Sequence, residues 1–263
     1  MINLSAPARL FHIITVCRDY PAGLMRTKAS LVNQTYQNFS WDIIDGGRDE
    51  ETKKILADLP PHFRWFREAD DGVYDAMNKG IGNLPDDNNI FVIFLNAGDC
   101  FASDDVLLTL SEIIAKEDKI PDFIYGNALE HYPPSGIYTK KAKSSNSIED
   151  GMFTHHQAMF FRSGLLGTMT YDTDYVIAAD YKLTAQYLAK SQHIVYVDDA
   201  ICLFETGGLS QKKSELGRRE QARIRQEIFH SGFFKNTMVT LRQRSANFIR
   251  KFLPWLYTKL RLS

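Results

Sequence analysis

Four residues, Asn96-Ala97-Gly98-Asp99, follow directly on the apolar run Phe91-Val92-Ile93-Phe94-Leu95. A carboxylate at such a place can hold a hard divalent cation, which can in turn neutralise a diphosphate. The same residues also suit an Asx-type turn leading into a helix. Three other stretches carry chemistry. Residues 70–81 place Asp71, Asp75, Asn78 and Lys79 on one helical face and Val73, Met77, Gly80 and Ile81 on another. His155-His156-Gln157 precedes an apolar strand, and neighbouring side chains of an extended chain point to opposite sides, so the histidine pair is a poor zinc signature. Asp180 opens a helix, where a carboxylate read on its own is an N-cap.

The elements that must position these residues read as alternating strands and helices. Strands are expected at 11–17, 39–44, 63–66, 91–95, 123–126 and 158–161, with short strands at 194–197 and 200–204. Helices are expected at 22–34, from 49, across 71–81, at 106–115 and at 177–190. Asp45-Gly46-Gly47 ends the second strand with glycines that allow close approach of a ligand. Residues 132–150, rich in Pro, Gly and Ser, read as one long loop, and Gly207-Gly208-Leu209-Ser210 as a flexible turn. Alternation through residue 115 predicts an α/β fold with a mixed, mainly parallel Rossmann-like sheet flanked by helices. In open sheets of this kind ligands sit beyond the carboxyl ends of the strands, which is where 96–99 falls.

The chain has 263 residues, 44% hydrophobic and 24% charged, enough for one large core. Its net charge of −1 is unevenly placed. Lys235, Arg242, Arg244, Arg250, Lys251, Lys259 and Arg261 face no acid after residue 234, so a body of net −8 carries a basic tail. Cys17, Cys100 and Cys202 are odd in number and far apart, which suits a reducing cytosol rather than a disulfide framework. No leader or membrane-spanning run is expected. Neither GxGxxG nor GxxxxGK[ST] is present, so the usual dinucleotide and P-loop sites are unsupported.

Six motifs in this order resemble glycosyltransferase family 2. They are Ile-Ile-Asp-Gly-Gly (43–47), Asp-x-Gly-Val-Tyr-Asp-Ala-Met-Asn-Lys-Gly-Ile (70–81), Phe-Leu-Asn-Ala-Gly-Asp (94–99), His-Gln-Ala-Met-Phe-Phe (156–161), Ala-Asp-Tyr (179–181) and Gly-Gly-Leu-Ser (207–210). The match covers residues 11–211 and looks most like the bacterial surface-polysaccharide branch that includes colanic acid transferases. The resemblance implies a GT-A fold, an inverting hexosyl-type transfer, a UDP- or GDP-linked sugar donor, and Mn2+ or Mg2+. The expected organisation is a GT-A domain at 1–232, with a donor half at about 10–126 and an acceptor half at about 127–232, followed by the basic amphipathic tail at 233–263. By position, Thr15 and Asp45 would line the base and ribose pocket, and Asp70, Asp75 and Asn78 would close the donor site. Asn96 would adjoin the donor, Asp99 would ligate the metal, Asp180 would be the general base, and His156 and Gln157 would lie near the diphosphate or acceptor. Asn96 and Gly98 depart from the family, many members having acids there. Arg48 and Glu50 replace the usual Ser and Asp of the second-strand loop.

Residues 248–260 mix aromatics, aliphatics and cations without acids, the pattern of a segment lying on an anionic membrane face. Pro254 would break a helix there. A helix packed on the body with a solvated basic face is the alternative. The membrane reading places the protein in the cytoplasm, peripheral on the inner face of the cell membrane, with a lipid-diphosphate-linked glycan as acceptor. A catalytically silent nucleotide-sugar binder of the same fold is the competing function. Nucleic acid is not expected as a partner, because the body is acidic.

Overall fold

The computed structural model describes residues 9–57, 59–132 and 136–252. β1 (Phe11–Cys17), α1 (Pro21–Val32), β2 (Phe39–Asp45), α2 (Glu50–Ile55), β3 (Phe63–Arg67), α3 (Val73–Gly82) and β4 (Phe91–Phe94) alternate as expected. The short β5 (Cys100–Phe101) and α4 (Val106–Lys116) follow. Then come β6 (Phe123–Tyr132), β7 (Gly136–Lys140), β8 (Met159–Arg162), α5 (Ser163–Leu166), α6 (Ala179–Leu188) and β9 (Ile194–Glu205). α7 (Leu209–Lys212), α8 (Ser214–Phe229) and α9 (Phe233–Phe252) complete the described chain.

One sheet runs in the order β3-β2-β1-β4-β8-β6-β9-β5, with β7 added on β6. β1 pairs in parallel with β2 and β4, and β2 with β3. β8 enters antiparallel between β4 and β6, while β6 and β9 again run parallel. The side-chain alternation of a strand explains the two cores. Ile14 and Val16 of β1 face α3, α6 and α8, whereas Phe11, Ile13 and Cys17 face α1 and α4. Every β1 residue is buried, as a strand covered on both faces must be. Gly80 lets α3 press onto the sheet, since a Cβ there would lie 2.5 Å from the Ile14 Cγ2.

Three expectations need correction. Residues 132–150 are not one long loop: β7 pairs with β6, and Ser145–Asp150 forms a 3-10 turn begun by the Ser144 hydroxyl, which accepts from the Asn146 N–H. The composition reads as a loop, yet residues 136–140 pair antiparallel with β6. The two short strands after 194 are one strand, β9. Asp198 and Asp199, which read as a break, occupy a bulge where Asn127 Nδ2 donates to Asp198 Oδ1 at 3.0 Å. Third, Leu209–Lys212 is a helical turn rather than a loop.

The segment after residue 232 forms a helix that docks on α8. Val239 and Asn236 are buried, and Arg225 Nε donates to Asn236 Oδ1 at 2.6 Å. Lys235 pairs with Glu149, Arg242 with Asp150 at 3.1 Å and Arg244 with Glu215 at 2.7 Å. These pairs explain why an acidic body and a basic tail coexist in one chain. The expected break at Pro254 and the rest of residues 253–263 lie outside the described residues. Among the described residues no helix is long and apolar enough to cross a membrane.

Candidate active site

The chain leaves β4 by a turn built to hold polar atoms at the sheet's edge. Leu95 and Ala97 still donate to the carbonyls of Ile14 and Val16, so the ladder runs on past the strand. Asp99 N–H then returns to the Asn96 carbonyl at 2.9 Å, and Gly98 sits at φ +107°, a conformation costly for any residue with a Cβ. Thr27, buried on α1, grips this turn from below. Its hydroxyl donates to the Asp99 carbonyl at 2.7 Å and accepts from the Gly98 N–H at 3.0 Å.

The Asp99 carboxylate is thereby held almost out of solvent. Burial pushes its pKa up to about 7, the Glu205 carboxylate adds to the rise, and the Glu205 N–H and the Gln157 side chain oppose it. Asn96 Oδ1 is buried and, among the described residues, has no hydrogen-bond partner. Glu205, at the end of β9, brings a second carboxylate beside them.

Asp180 lies in the first turn of α6, across the same cavity of about 210 Å³. It does not cap the helix, since Ala178 holds that position with no side-chain cap. The Asp180 Oδ1 accepts from the Tyr181 N–H at 2.7 Å and, more weakly, from the Tyr74 hydroxyl at 3.3 Å. Burial nonetheless pushes its carboxyl up to about 6. The approach to α6 is fixed from a distance by Glu220 of α8. This carboxylate accepts from the N–H groups of Val176, Ile177 and Ala178 at 2.8–2.9 Å.

The cavity therefore gathers Asn96, Asp99, His156, Gln157, Asp180 and Glu205. His156 stacks on Phe94 and lies 3.0 Å through Nε2 from the Tyr171 hydroxyl. Burial lowers its pKa to about 3, so it is an uncharged wall. His155 points elsewhere, stacked on Phe204 and bonded to Glu130.

The other expected donor residues are not in this cavity lining. Thr15 is fully buried, donates to the Leu95 carbonyl and accepts from Trp41 Nε1, so it braces the strands and presents no surface to a base. Asp45 is also fully buried, held by Arg67 Nε at 2.8 Å and by the Gly47 N–H at 2.9 Å. It shapes the loop after β2 rather than lining a pocket. Asn78 is committed to both backbone groups of Tyr171, and Asp75 to Lys79 and the Asp71 N–H. These two clip α3 in place. Asp70 accepts from the Gly72 N–H and packs against Gly46, where a Cβ would fall 1.5 Å from its Oδ2. With Arg18 3.7 Å away, it marks the ends of β1, β2 and β3.

A family model described as glycosyl transferase family 2 matches residues 12–166. The chain belongs to that family. A "PGL/p-HBAD biosynthesis glycosyltransferase" of Mycobacterium bovis is 27% identical over 220 residues, covering 77% of this chain and 80% of the relative. An uncharacterized glycosyltransferase of Mycobacterium tuberculosis is 26% identical over 211 residues, covering 76% and 77%. Among solved structures, Staphylococcus aureus TarS 1–349 in complex with UDP-GlcNAc shares the fold at a TM-score of 0.62 and 14% identity, over 96% of this chain and 76% of TarS. The mannosyltransferase PcManGT of Pyrobaculum calidifontis, in complex with GDP-Man and Mn2+, does so at 0.62 and 13%, over 85% and 65%. These likenesses bear out the GT-A architecture.

Family motifs alone miss Thr27, Glu205 and Glu220. Thr27 and Glu220 act through backbone groups distant in sequence, and Glu205 closes a strand read as two. Replacing Glu220 with Ala leaves three N–H groups without their acceptor. The expected result is a stability loss of about 1–3 kcal/mol in urea denaturation, with faster amide exchange confined to residues 176–178. Unchanged exchange there would show that Glu220 does not hold the Asp180 approach.

Proposed function

We propose that this family 2 enzyme is an inverting transferase that moves a sugar from a UDP- or GDP-linked donor to a lipid-linked glycan. Asp180 is the general base. The observation that carries the reading is the placement of Asp180 across one small cavity from Asn96 and Asp99. Inverting transfer needs a base beside the acceptor hydroxyl as it attacks the anomeric carbon, and charge stabilisation at the leaving diphosphate. A carboxyl titrating near 6 is ionised at neutral pH yet basic enough to take a proton. A silent binder would have no use for such an acid in this cavity.

The donor set suits a hard divalent cation. Asn96 Oδ1, buried and unpartnered, and the Asp99 carboxylate are oxygen ligands of the kind Mn2+ and Mg2+ take. Among the described residues no group of three or more His, Cys, Asp or Glu forms a cage, which fits a cation shared with donor phosphates. When bound, the cation would supply charge neutralisation at the diphosphate. The protein's own part is to keep Asp99 and Asn96 at the strand end through Thr27, to wall the cavity with neutral His156, and to hold Asp180 ionised and oriented. The Arg18, Gly46 and Asp70 cluster supports a nucleoside-binding end.

Asp180→Asn should lower transfer by a factor on the order of 10²–10⁴ and leave nucleotide affinity unchanged. The wild-type rate, followed as nucleoside diphosphate release at saturating Mn2+ and donor, should be half-maximal near pH 6, level well above it and falling below it, because protonation removes the base. Undiminished transfer by the Asn variant would refute the assignment.

The outward side of α9 supports peripheral attachment to an anionic membrane. Phe234, Met238, Leu241 and Phe248 are 85%, 61%, 58% and 58% exposed, and their spacing sets them on one helical face. The sequence continues from this stripe into the acid-free, aromatic and basic residues 253–263. Deleting the chain after 236 would also strip Val239 from α8, so substitution is the cleaner test. Replacing the four stripe residues with Gln should release the protein from anionic vesicles without lowering its melting temperature. Equal partitioning would remove the membrane from the account.

A further inference from the structure

Glu205 is placed oddly for a residue of mere structural use. Its Oε1 accepts from the Tyr20 hydroxyl at 2.8 Å and is paired with the Arg26 guanidinium, both from the N-terminal end of α1. Its Oε2 lies over Gly98, where a Cβ would meet it at 2.0 Å. Its own N–H donates to Asp99 Oδ1 at 2.9 Å. The end of β9 is thus fastened to the Asp99 carboxylate, and the absence of a side chain at position 98 leaves the space that the Glu205 carboxylate enters. Two carboxylates beside one unpartnered amide oxygen repel each other unless a positive charge lies between or beside them. Arg26 supplies that charge to Glu205, from a half-exposed position it can leave.

We infer that Glu205 is the second carboxylate of the cation site, replacing from β9 the acid that the 96–99 turn lacks, and that Tyr20 and Arg26 form a latch competing with the cation for it. The inference rests on the metal-assisted reading above and deepens it. The chain's departure at Gly98 then acquires a reason: an acidic side chain there would collide with Glu205. A latch of this kind offsets the Glu205 charge when no cation is bound and holds the Glu205 end of β9 against α1, and cation binding frees the Arg26 guanidinium beside the site. Arg26 and Glu205 are partly exposed and the exchange needs only side-chain rotation.

The test is Mn2+ binding to the full chain, followed by electron paramagnetic resonance of free Mn2+, with and without UDP or GDP. Glu205→Gln should weaken Mn2+ binding by on the order of tenfold or more. Arg26→Gln and Tyr20→Phe should strengthen it, because each removes a competitor for the same carboxylate. Opposite directions separate a latch from a structural clamp, for which all three variants would weaken binding together, and that result would overturn the inference. Wild-type affinity in Glu205→Gln would overturn it as well. If Asp99→Asn abolishes binding while Glu205→Gln does not, the metal-assisted reading stands and this inference alone fails. If the wild-type chain binds no Mn2+ even with nucleotide, both fall.

Discussion

A carboxylate held out of water at the end of a buried strand is the constraint on which this site depends. Asp99 receives the Glu205 N–H and the Gln157 side chain, and these do not offset its burial, so its proton is retained to about pH 7. A group in that state is poised toward a positive charge, since any cation that reaches it recovers the lost solvation. The turn that keeps it there is itself costly, with Gly98 at positive φ and the Asn96 amide oxygen unpaired. Thr27 offsets the cost through two hydrogen bonds from a helix already anchored in the core.

The remaining architecture brings separate elements to this strand end. β9 runs parallel to β6 and delivers Glu205, α6 delivers Asp180, and α8 steadies α6 through Glu220. α9 in turn braces α8 through Asn236 and the ion pairs to Glu149, Asp150 and Glu215. α9 is therefore linked to the cavity through two intervening helices, α8 and α6, while Phe234, Met238 and Leu241 on its outward side are exposed.

Much of this was legible in the sequence, for identifiable physical reasons. β4 is an uninterrupted apolar run, β1 and β2 are apolar apart from a few polar residues such as His12, Thr15, Ser40 and Asp42, and the polar tetrad after β4 announces its own position. Asp99, Asp180, His156 and Gln157 meet in one cavity because the turn after β4, the entry to the antiparallel β8 and the first turn of α6 converge there. Thr15, Asp45 and Asn78 show the limit. A motif gives a residue's place in the chain, but whether its polar atoms face a ligand or brace a loop is decided by partners such as Trp41, Arg67 and Tyr171. β9 was hidden because paired aspartates inside a strand look like a turn until a bulge and Asn127 accommodate them. Glu220 carries no signal at all in an otherwise charged amphipathic helix.

On the proposed reading, Asp99 and Asn96 help bind a nucleoside diphosphate through a divalent cation. Calorimetric titration with UDP and with GDP, each with and without Mn2+, tests it most directly. One nucleotide should bind, Mn2+ should tighten the binding, and Asp99→Asn should abolish the tightening. Equally tight binding without metal, or no binding of either nucleotide, would contradict that reading.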